Sequence, residues 1–268
     1  MKPTLNPFTR WAPPTKTPKI ALFDIETAPS LGYFWGKLYE TSIIGVEAPW
    51  YMLSFAYKWL GERPIYTRAL CDYPLYEANL DNDYYLVKDL WKVLDEADIV
   101  IAHNGDKFDI RKTNARFIKY GMKPPSPYKS IDTLKAARKH FQFESNRLND
   151  LGQYFGLGGK LPNTGFDLWK RTMQGDRTAW DLMKKYNRRD IVLLEQVYEI
   201  LRPYMATHPN LNIYNNTLNC TACQSPHIQR RGTMVSQTQK YHRFHCQECG
   251  HWSKGPNVKS QWVFNGRL

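Results

Sequence analysis

Two carboxylates continue an apolar row near the start of the chain. In segment 19–26, Ile20, Leu22, Asp24 and Glu26 alternate, and alternate residues of a β-strand share one face. Two like charges on a buried face are costly unless a cation neutralises them, and carboxylate oxygens suit Mg²⁺ or Mn²⁺. The other interpretation is that both acids lie hydrated at a strand end.

A third carboxylate, Asp109, lies in the segment HNGDKFDI, where a predicted strand gives way to a predicted helix. It is a third candidate metal ligand after Asp24 and Glu26. The sequence also allows a purely structural interpretation, in which Asp106 caps the helix and Asp109 is a first-turn acid favoured by the helix dipole.

The fourth carboxylate lies inside the apolar face of the last predicted helix. Met183, Tyr186, Asp190 and Leu193 fall on one stripe, and no basic residue stands three or four positions from Asp190. Burying an unpaired charge is unfavourable, which favours a ligand role for Asp190. Tyr186 points the same way, so its hydroxyl could reach groups bound at Asp190, although a tyrosine here also fits a core.

Two C-x-x-C pairs stand near the end of the chain, with 22 residues between them. Four thiolates at this spacing suit one tetrahedral Zn²⁺, and in a chain that is not secreted the pattern indicates metal binding. So short a segment cannot build its own core, so metal binding and folding are expected to be one event. The predicted zinc ligands are Cys220, Cys223, Cys246 and Cys249.

The elements that must position the carboxylates follow from hydrophobic periodicity. Strands are predicted at 19–26, 51–60 and 64–70, the last two as a hairpin, and at 98–102 and 129–132. Helices are predicted at 83–97, 107–120, 133–141, 147–155, 165–174 and 177–201. This order predicts an α/β domain, a mixed sheet flanked by helices.

Three motifs along this domain resemble those of a known superfamily. D-I-E-T at 24–27, an Asn followed by Phe-Asp at 104–109, and Tyr-x-x-x-Asp at 186–190 stand in the order of the exonuclease motifs of the DnaQ-like DEDD superfamily. The match is to its tyrosine-bearing DEDDy subgroup, which includes the proofreading domains of family B DNA polymerases. The resemblance covers about residues 18–203 and implies an RNase H-like fold with 3′→5′ exonuclease activity.

The resemblance also implies roles for the acids around two Mg²⁺ or Mn²⁺ ions, one activating water and the other stabilising the leaving oxygen. Asp24 would bridge both ions, and Glu26 and Asp190 would help to hold the water-bearing one. Asp109 would contact the second ion through water, and Tyr186 would orient the nucleophile.

By the same resemblance, Thr27, Asn104 and Phe108 would contact a single-stranded 3′ end. The polymerase-like second motif favours DNA, while RNA stays open because discrimination depends on contacts to the 2′-hydroxyl. Asp132, in S-I-D-T, resembles a family aspartate outside the ligand set.

The cysteine segment resembles the zinc ribbons of some insertion-sequence transposases, in which a basic hairpin precedes the second cysteine pair. Basic and aromatic side chains interleaved in this way suit phosphate contact and base stacking, although the aromatic ones could simply cover the zinc site. The basic candidates are Arg230, Arg231, Lys240 and Arg243. The aromatic ones are Tyr241, Phe244 and Trp252.

Charge supports a polyanionic partner. The net charge is +12, and residues 204–268 hold seven Lys and Arg against one acid, a net +6. No run of about 18 apolar residues could span a bilayer, and the polar start lacks the apolar core of a signal peptide. We therefore expect a soluble intracellular protein without a membrane partner, cytoplasmic, nucleoid-associated, or viral and acting in the host cytoplasm.

The expected organisation is a flexible N-terminal segment (1–17), an exonuclease domain (18–203), a linker (204–219), a zinc ribbon (220–255) and a tail (256–268). Two alternatives share it: a non-catalytic adapter that recruits a partner through the ribbon, and a trans-acting proofreading subunit of a polymerase or another replication or repair protein. All four acids are present, and an adapter has no need for an unpaired Asp190, so the sequence favours catalysis.

Overall fold

A computed structural model describes residues 17–35, 43–162, 164–214 and 217–258. The predicted N-terminal segment, except its last residue, and the predicted tail from residue 259 lie outside the described residues. The chain divides into two compact units, one of which is Lys19–His208. The described residues from Pro209 onward belong to the other unit.

The first unit is built on a five-stranded sheet. Its strands are β1 (Ile20–Thr27), β4 (Met52–Trp59), β5 (Tyr66–Ala69), β6 (Ile99–Ala102) and β7 (Lys129–Asp132), in the order β5-β4-β1-β6-β7. Strand β1 runs antiparallel to β4 and parallel to β6, and β6 runs parallel to β7. The sheet is therefore mixed, as the sequence predicts, and β4 and β5 form the predicted hairpin.

Six α-helices accompany the sheet in the described part of this unit. They are α1 (Tyr84–Glu96), α2 (Asp109–Lys119), α3 (Thr133–His140), α4 (Leu148–Tyr154), α5 (Phe166–Met173) and α6 (Arg177–Leu201). Each predicted helix and strand of this unit forms within two residues of its expected bounds. A short hairpin of β2 (Leu31–Tyr33) and β3 (Gly45–Ala48) was not predicted, because strands of three and four residues are too short for apolar alternation to identify them.

The long helix α6 packs against β1, β4 and β5, and against α3, α4 and α5. Its buried stripe includes Met183, Leu193 and Val197, and buried side chains of β1 such as Phe23 and Ile25 belong to the core. Residues 20–23 of β1 are all buried, which is typical of a central strand covered on both faces. Helix α6 and the end of β1 are thereby brought together.

The second unit contains a three-stranded antiparallel sheet of β8 (Ile228–Val235), β9 (Lys240–Cys246) and β10 (Trp252–Asn257), with β9 in the centre. Part of the segment predicted as a linker belongs to it. The backbone N–H of Leu211 donates to the carbonyl of Thr221 (2.9 Å), and Asn212 Nδ2 donates to the carbonyl of Asn219 (2.7 Å). Hydrogen bonds thus tie residues before the first cysteine to the cysteine module.

Across the described ranges, no helix combines the length and the apolar character needed to cross a bilayer.

Candidate active site and cysteine cluster

Three of the four predicted acids meet at the end of β1. Carboxylate oxygens of Asp24, Glu26 and Asp190 lie within 4.8 Å of one another. Asp190 is 1% exposed, and its Oδ1 has no hydrogen-bond partner among the described residues. An unsatisfied buried oxygen beside two further carboxylates fits a divalent cation, because hard cations bind oxygen ligands and would remove the cost of burying these charges.

Asp109 lies close to this group without belonging to it. It is the first residue of α2, it is 3% exposed, and its Oδ1 accepts a hydrogen bond from the backbone N–H of Ile25 (3.1 Å), between the two acids of β1. Asp106 does not cap α2: its carboxylate accepts hydrogen bonds from Ser130 Oγ and Lys135 Nζ, both 2.5 Å. The prediction of Asp106 as the cap is therefore wrong, whereas Asp109 does lie in the first turn of α2.

Asp132 shapes the turn that leads to α2. Its carboxylate accepts hydrogen bonds from the backbone N–H groups of Asn104 (2.9 Å) and Asp106 (3.4 Å). Asn104 adopts φ +65°, and a Cβ on Gly105 would lie 2.4 Å from Cβ of Ala102, so this tight turn depends on its small residues. Asp132, which the resemblance placed outside the ligand set, thus fixes the backbone of the turn that leads to Asp109, a candidate ligand.

The clustered acids resist ionisation. Burial raises the pKa of Asp24 well above its ordinary value, and repulsion from Glu26, Asp109 and Asp190 raises it further. Burial, followed by repulsion from Asp190, raises the pKa of Glu26 to about 8, and burial raises that of Asp109 to about 7. A bound cation would reverse these shifts, because it favours the charged form.

Asn187 is a site residue that sequence reasoning missed. Its Nδ2 donates to Oδ2 of Asp24 (2.6 Å), while its Oδ1 accepts from Ser54 Oγ (3.3 Å), and both Asn187 and Ser54 are fully buried. The available signal was a polar residue three positions before Asp190. Asn187 fixes the carboxylate expected to bridge two ions.

Asp190 has a basic partner, so the expectation that it is unpaired was wrong. Lys160, from the loop between α4 and α5, donates from Nζ to Oδ2 of Asp190 and to the hydroxyl of Tyr186 (3.1 Å). A search of positions three and four residues away cannot find a partner from a distant loop. Burial of Asp190 is therefore not evidence for an enzyme over a non-catalytic adapter. The observation that favours an enzyme is the grouping of three carboxylates.

Tyr186 is held beside the carboxylates from two directions. Its ring packs edge-to-face against Trp169 at 5.9 Å between centroids, and its hydroxyl accepts the hydrogen bond from Lys160. Burial, then repulsion from Asp190, raises the pKa of Tyr186 above its ordinary value. Its hydroxyl therefore keeps its proton at neutral pH.

A cleft of about 320 Å³ opens beside Thr27 and is lined by aromatic side chains. Trp50, Phe166 and Trp169 contribute to it, and Nζ of Lys112 lies 3.8 Å from the Trp50 ring centroid. The same Nζ lies 5.7 Å from the ring of Phe108, a predicted substrate contact. The third predicted contact, Asn104, lines a separate cleft together with Lys160.

The four paired cysteines form a second cluster able to hold a metal ion. All four Sγ atoms lie within 4.8 Å of one another. Sγ of Cys220 lies 3.6 Å from that of Cys249, and Sγ of Cys223 lies 3.7 Å from that of Cys246. A tetrahedral ion with Zn–S bonds of about 2.3 Å requires S–S separations of roughly 3.8 Å. The cluster is therefore compatible with a zinc ribbon.

Aromatic and cationic side chains alternate on one face of the ribbon sheet. Register pairs Trp252 with His245 and Lys254 with Arg243, so these four residues and Tyr241 share a face. The rings of His245 and Trp252 stack at 4.5 Å, the Arg243 guanidinium lies 4.9 Å from the Trp252 ring, and Lys254 Nζ lies 3.5 Å from that of Tyr241. His245 and Lys254 were not among the predicted contacts.

The predicted basic residues of the ribbon divide between its two faces. Arg243 lies on the aromatic face, whereas strand alternation puts Lys240 and Arg230 on the opposite one with Phe244. Arg231 lies at an irregularity of β8, where its carbonyl accepts a hydrogen bond from Arg243 Nε (2.5 Å). The faces of the ribbon thus differ in chemistry.

A mixed sheet flanked by helices, with acids grouped at the end of its central strand, defines an α/β protein of the RNase H-like class. Residues 62–202, more than half of the 268-residue chain, match the family model of the RNase_H superfamily, and the chain belongs to that superfamily. Its members are commonly nucleases, which makes nucleic acid the partner class. No curated protein matches the chain. The matched range contains Asp109, Tyr186 and Asp190 and begins after Asp24 and Glu26.

The raised pKa values predict that, without a divalent ion at the acids, stability falls as pH rises. The folded-state pKa of Glu26, about 8, exceeds its ordinary 4.5, so its contribution is full below pH 4.5 and is lost as pH rises through 8. We expect Tm to drop by several degrees between pH 5 and 8 in protein dialysed free of Mg²⁺ and Mn²⁺ with zinc left in place.

Two controls accompany this measurement by calorimetry. Mn²⁺ should restore Tm at pH 8, and Glu26→Gln should flatten the pH dependence. A Tm that does not change with pH, or an equally steep fall in Glu26→Gln, would contradict this account of the site.

Proposed function

We propose that this protein is a metal-dependent 3′→5′ exonuclease that hydrolyses phosphodiester bonds at single-stranded 3′ ends, with DNA favoured over RNA. The observation that carries the proposal is the grouping of Asp24, Glu26 and Asp190 within 4.8 Å, beside the Tyr186 hydroxyl. Membership of the RNase_H superfamily and the order of the three motifs support it. A trans-acting proofreading role would use the same chemistry and differ only in its partner.

In this proposal the three grouped acids and Asp109 hold two Mg²⁺ or Mn²⁺ ions. When bound, the ions supply an activated water and stabilise the charge that develops on the leaving oxygen. Asn187 fixes the carboxylate of Asp24 by its 2.6 Å hydrogen bond. Tyr186, protonated and held by Lys160 and Trp169, donates its hydroxyl hydrogen to orient the nucleophile.

The cleft beside Thr27 suits the terminal nucleotide. Thr27 follows Glu26 at the end of β1, so a terminal nucleotide with its base in the cleft would keep the scissile phosphate, the one on its 5′ oxygen, near the acids. Phe166 is 63% exposed and Trp50 lines the same cleft, and aromatic rings of this kind stack on unpaired bases of any sequence. Lys112, which also lines the cleft, adds a cation that could contact a phosphate of the nucleic acid.

The aromatic face of the ribbon supplies the second contact with nucleic acid in this proposal. Tyr241 and Trp252 offer stacking surfaces, and Arg243 and Lys254 offer cations beside them. On the opposite face Phe244 packs against Gly255, where a Cβ would lie 2.4 Å from its ring, and the ring–cation contacts seen among the described residues of the ribbon lie on the aromatic face. Zinc bound by the four cysteines would hold this face together.

Asp24→Asn is expected to lower exonuclease turnover by more than about 100-fold, because even outer partners of metal ligands cost about 10–100-fold when removed. The measurement is shortening of 5′-labelled single-stranded DNA in Mn²⁺. Asp89→Asn is the matched control, since Asp89 bonds to Tyr73 and Lys92 instead. Near wild-type turnover of Asp24→Asn at saturating metal would show that the site is assigned wrongly.

Phe166→Ala is expected to raise KM for single-stranded DNA by about 5- to 100-fold with little change in kcat. Stacking of one base on an aromatic ring contributes about 1–3 kcal/mol, and Phe166 is exposed enough to be removed without emptying the core. Tyr204→Ala, at a ring 60% exposed and packed on Phe141, is the control. An unchanged KM, or an equal rise in the control, would exclude this cleft as the binding site of the terminal nucleotide.

Trp252→Ala and Arg243→Ala are expected to weaken binding of a 40-mer single strand, whereas Arg230→Ala, on the opposite face, should have little effect. Trp252→Ala should cost about 5- to 100-fold, and Arg243→Ala should reduce the salt slope by about one. Fluorescence anisotropy in the Asp24→Asn background measures this without cleavage. Equal effects on both faces would contradict a single nucleic-acid face, and no effect on either would instead support a ribbon that docks a protein.

A further inference from the structure

A buried ion pair joins the beginning of α1 to α2. Arg116 Nη2 donates to Oδ1 of Asp83, and the two residues are 3% and 0% exposed. The hydroxyl of Tyr120, which directly follows α2, accepts from Arg116 Nη2 (3.0 Å) and donates to the same oxygen of Asp83 (2.5 Å). We call these three residues the α1–α2 network, and none of them belongs to the three sequence motifs.

Stability alone does not account for this network. A buried ion pair contributes little net stability, because the desolvation of both charges offsets their attraction. Asp83 directly precedes α1, where an aspartate commonly accepts hydrogen bonds from the first turn of its own helix, yet its side chain makes no such bond. Arg116 Nε is buried and has no hydrogen-bond partner among the described residues. The network therefore forgoes local stabilisation, as residues at functional sites often do.

The remaining hydrogen bonds of the network end on the segment that leads into β4. Oδ2 of Asp83 accepts from the backbone N–H of Met52, the first residue of β4, at 2.7 Å. Arg116 Nη1 donates to the backbone carbonyl of Trp50 (3.3 Å). Both ends of the buried pair thus hold the backbone beside a ring that lines the cleft next to Thr27.

The same segment is tied to the loop that follows β1. The backbone N–H of Trp50 donates to Ser30 Oγ (3.2 Å), and the carbonyl of Tyr51 accepts from the backbone N–H of Ala28 (2.9 Å). Ala28 and Ser30 line the cleft together with Trp50. The backbone at Trp50 is therefore fixed between the wall of this cleft and the α1–α2 network.

Helix α2 also supports the indole ring of Trp50. The Arg116 guanidinium lies 5.4 Å from the ring centroid and Lys112 Nζ lies 3.8 Å from it, distances typical of cation–π contacts. Lys112 and Arg116 stand four residues apart, so they lie on one face of α2. That face contacts the ring, while the buried pair fixes the backbone that carries it.

We propose that Asp83, Arg116 and Tyr120 are positioning residues for Trp50, and that they thereby set the affinity of the cleft for the base of a 3′-terminal nucleotide. A ring that is already held loses little freedom when a base stacks on it, so less of the stacking energy is offset by ordering. The inference rests on the proposed exonuclease function. Among the described residues, the hydrogen bonds of the network end on the segment at Trp50 and not on the grouped acids, so it acts on substrate affinity and not on the chemical step.

The first experiment observes Trp50 directly in the full-length protein, with zinc left in place and without nucleic acid. Fluorotryptophan replaces the nine tryptophans, and the fluorine NMR signal of Trp50 is assigned by its loss in Trp50→Phe. Arg116→Lys and Tyr120→Phe should shift or broaden this signal, because each removes a bond that holds the ring in place. The signal of Trp180, whose Nε1 donates to Tyr76 (2.9 Å), should not move.

The two variants differ in severity, and a third serves as their control. Arg116→Lys keeps the charge but lacks the planar fork through which Arg116 makes its bonds. Tyr120→Phe is the milder change, because it removes one hydroxyl and leaves the ion pair intact. Tyr73→Phe is the matched control, since it removes a hydroxyl that donates to Asp89 (2.8 Å) on α1. Its Trp50 signal should stay at the wild-type position.

The second experiment measures KM and kcat for a single-stranded DNA trimer in Mn²⁺. Trp50→Ala should raise KM by about 5- to 100-fold, because a stacking surface is lost. Arg116→Lys and Tyr120→Phe should raise KM by about 3- to 10-fold with little change in kcat, since one hydrogen bond is lost and the reacting groups are untouched. In a Trp50→Ala background neither change should raise KM further, because the ring that they position is gone. Tyr73→Phe should leave both constants unchanged.

An unmoved Trp50 signal in both variants, a loss in kcat in place of a rise in KM, or the same rise in KM with and without the Trp50 ring would overturn this inference. Equal changes in Tyr73→Phe would also overturn it, because they would reflect a general loss of stability. A wild-type protein that shortens no DNA in Mn²⁺ refutes the proposed function. The fluorine signal needs neither metal at the acids nor nucleic acid and still tests whether the network positions Trp50, so the two failures are distinguishable.

Discussion

Mutual repulsion among buried carboxylates is the constraint around which the first unit is organised. Asp24, Glu26 and Asp190 are held within 4.8 Å by a central strand and a long helix whose apolar faces pack together. The packing energy of those faces must offset the repulsion, because a carboxylate in an apolar setting is costly without a counter-ion. Such an arrangement is stable only when the acids are protonated or a cation lies close by.

The polar residues around the acids serve that constraint. Asn187 donates to Asp24, the backbone of Ile25 donates to Asp109, and Lys160 donates to Asp190, so three of the four acids have a fixed donor. Orientation by outer partners is a common property of metal sites, where it affects affinity nearly as much as the ligands do. The site is preorganised by hydrogen bonds from three parts of the chain: strand β1, the loop between α4 and α5, and helix α6.

The second unit also depends on a cluster of potential metal ligands, here the sulfur atoms of cysteines. Four cysteines approach within 4.8 Å in a segment with few apolar side chains, so a bound ion would supply the stabilisation that a core supplies elsewhere. Around that cluster, strand alternation separates a face of stacked rings and cations from a face on which Phe244 packs against the sheet. The two units thus bring different chemistry to one proposed polyanionic ligand.

Much of this could be predicted from sequence because it depends on local periodicity. Alternation put Asp24 and Glu26 on one face, a helical stripe put Tyr186 beside Asp190, and the C-x-x-C pairs indicated the sulfur cluster. The helix and strand bounds followed for the same reason, whereas the strands of the β2–β3 hairpin are too short for such a pattern to identify them.

Tertiary structure decided which distant groups became partners. A residue 30 positions away pairs with Asp190, Asn187 reaches across to β1, and Asp109 is tied to β1 by the backbone N–H of Ile25. Register alone separated Arg243 from Arg230 on the ribbon. No local pattern encodes such contacts, because they arise only when strands, helices and loops distant in sequence pack against one another.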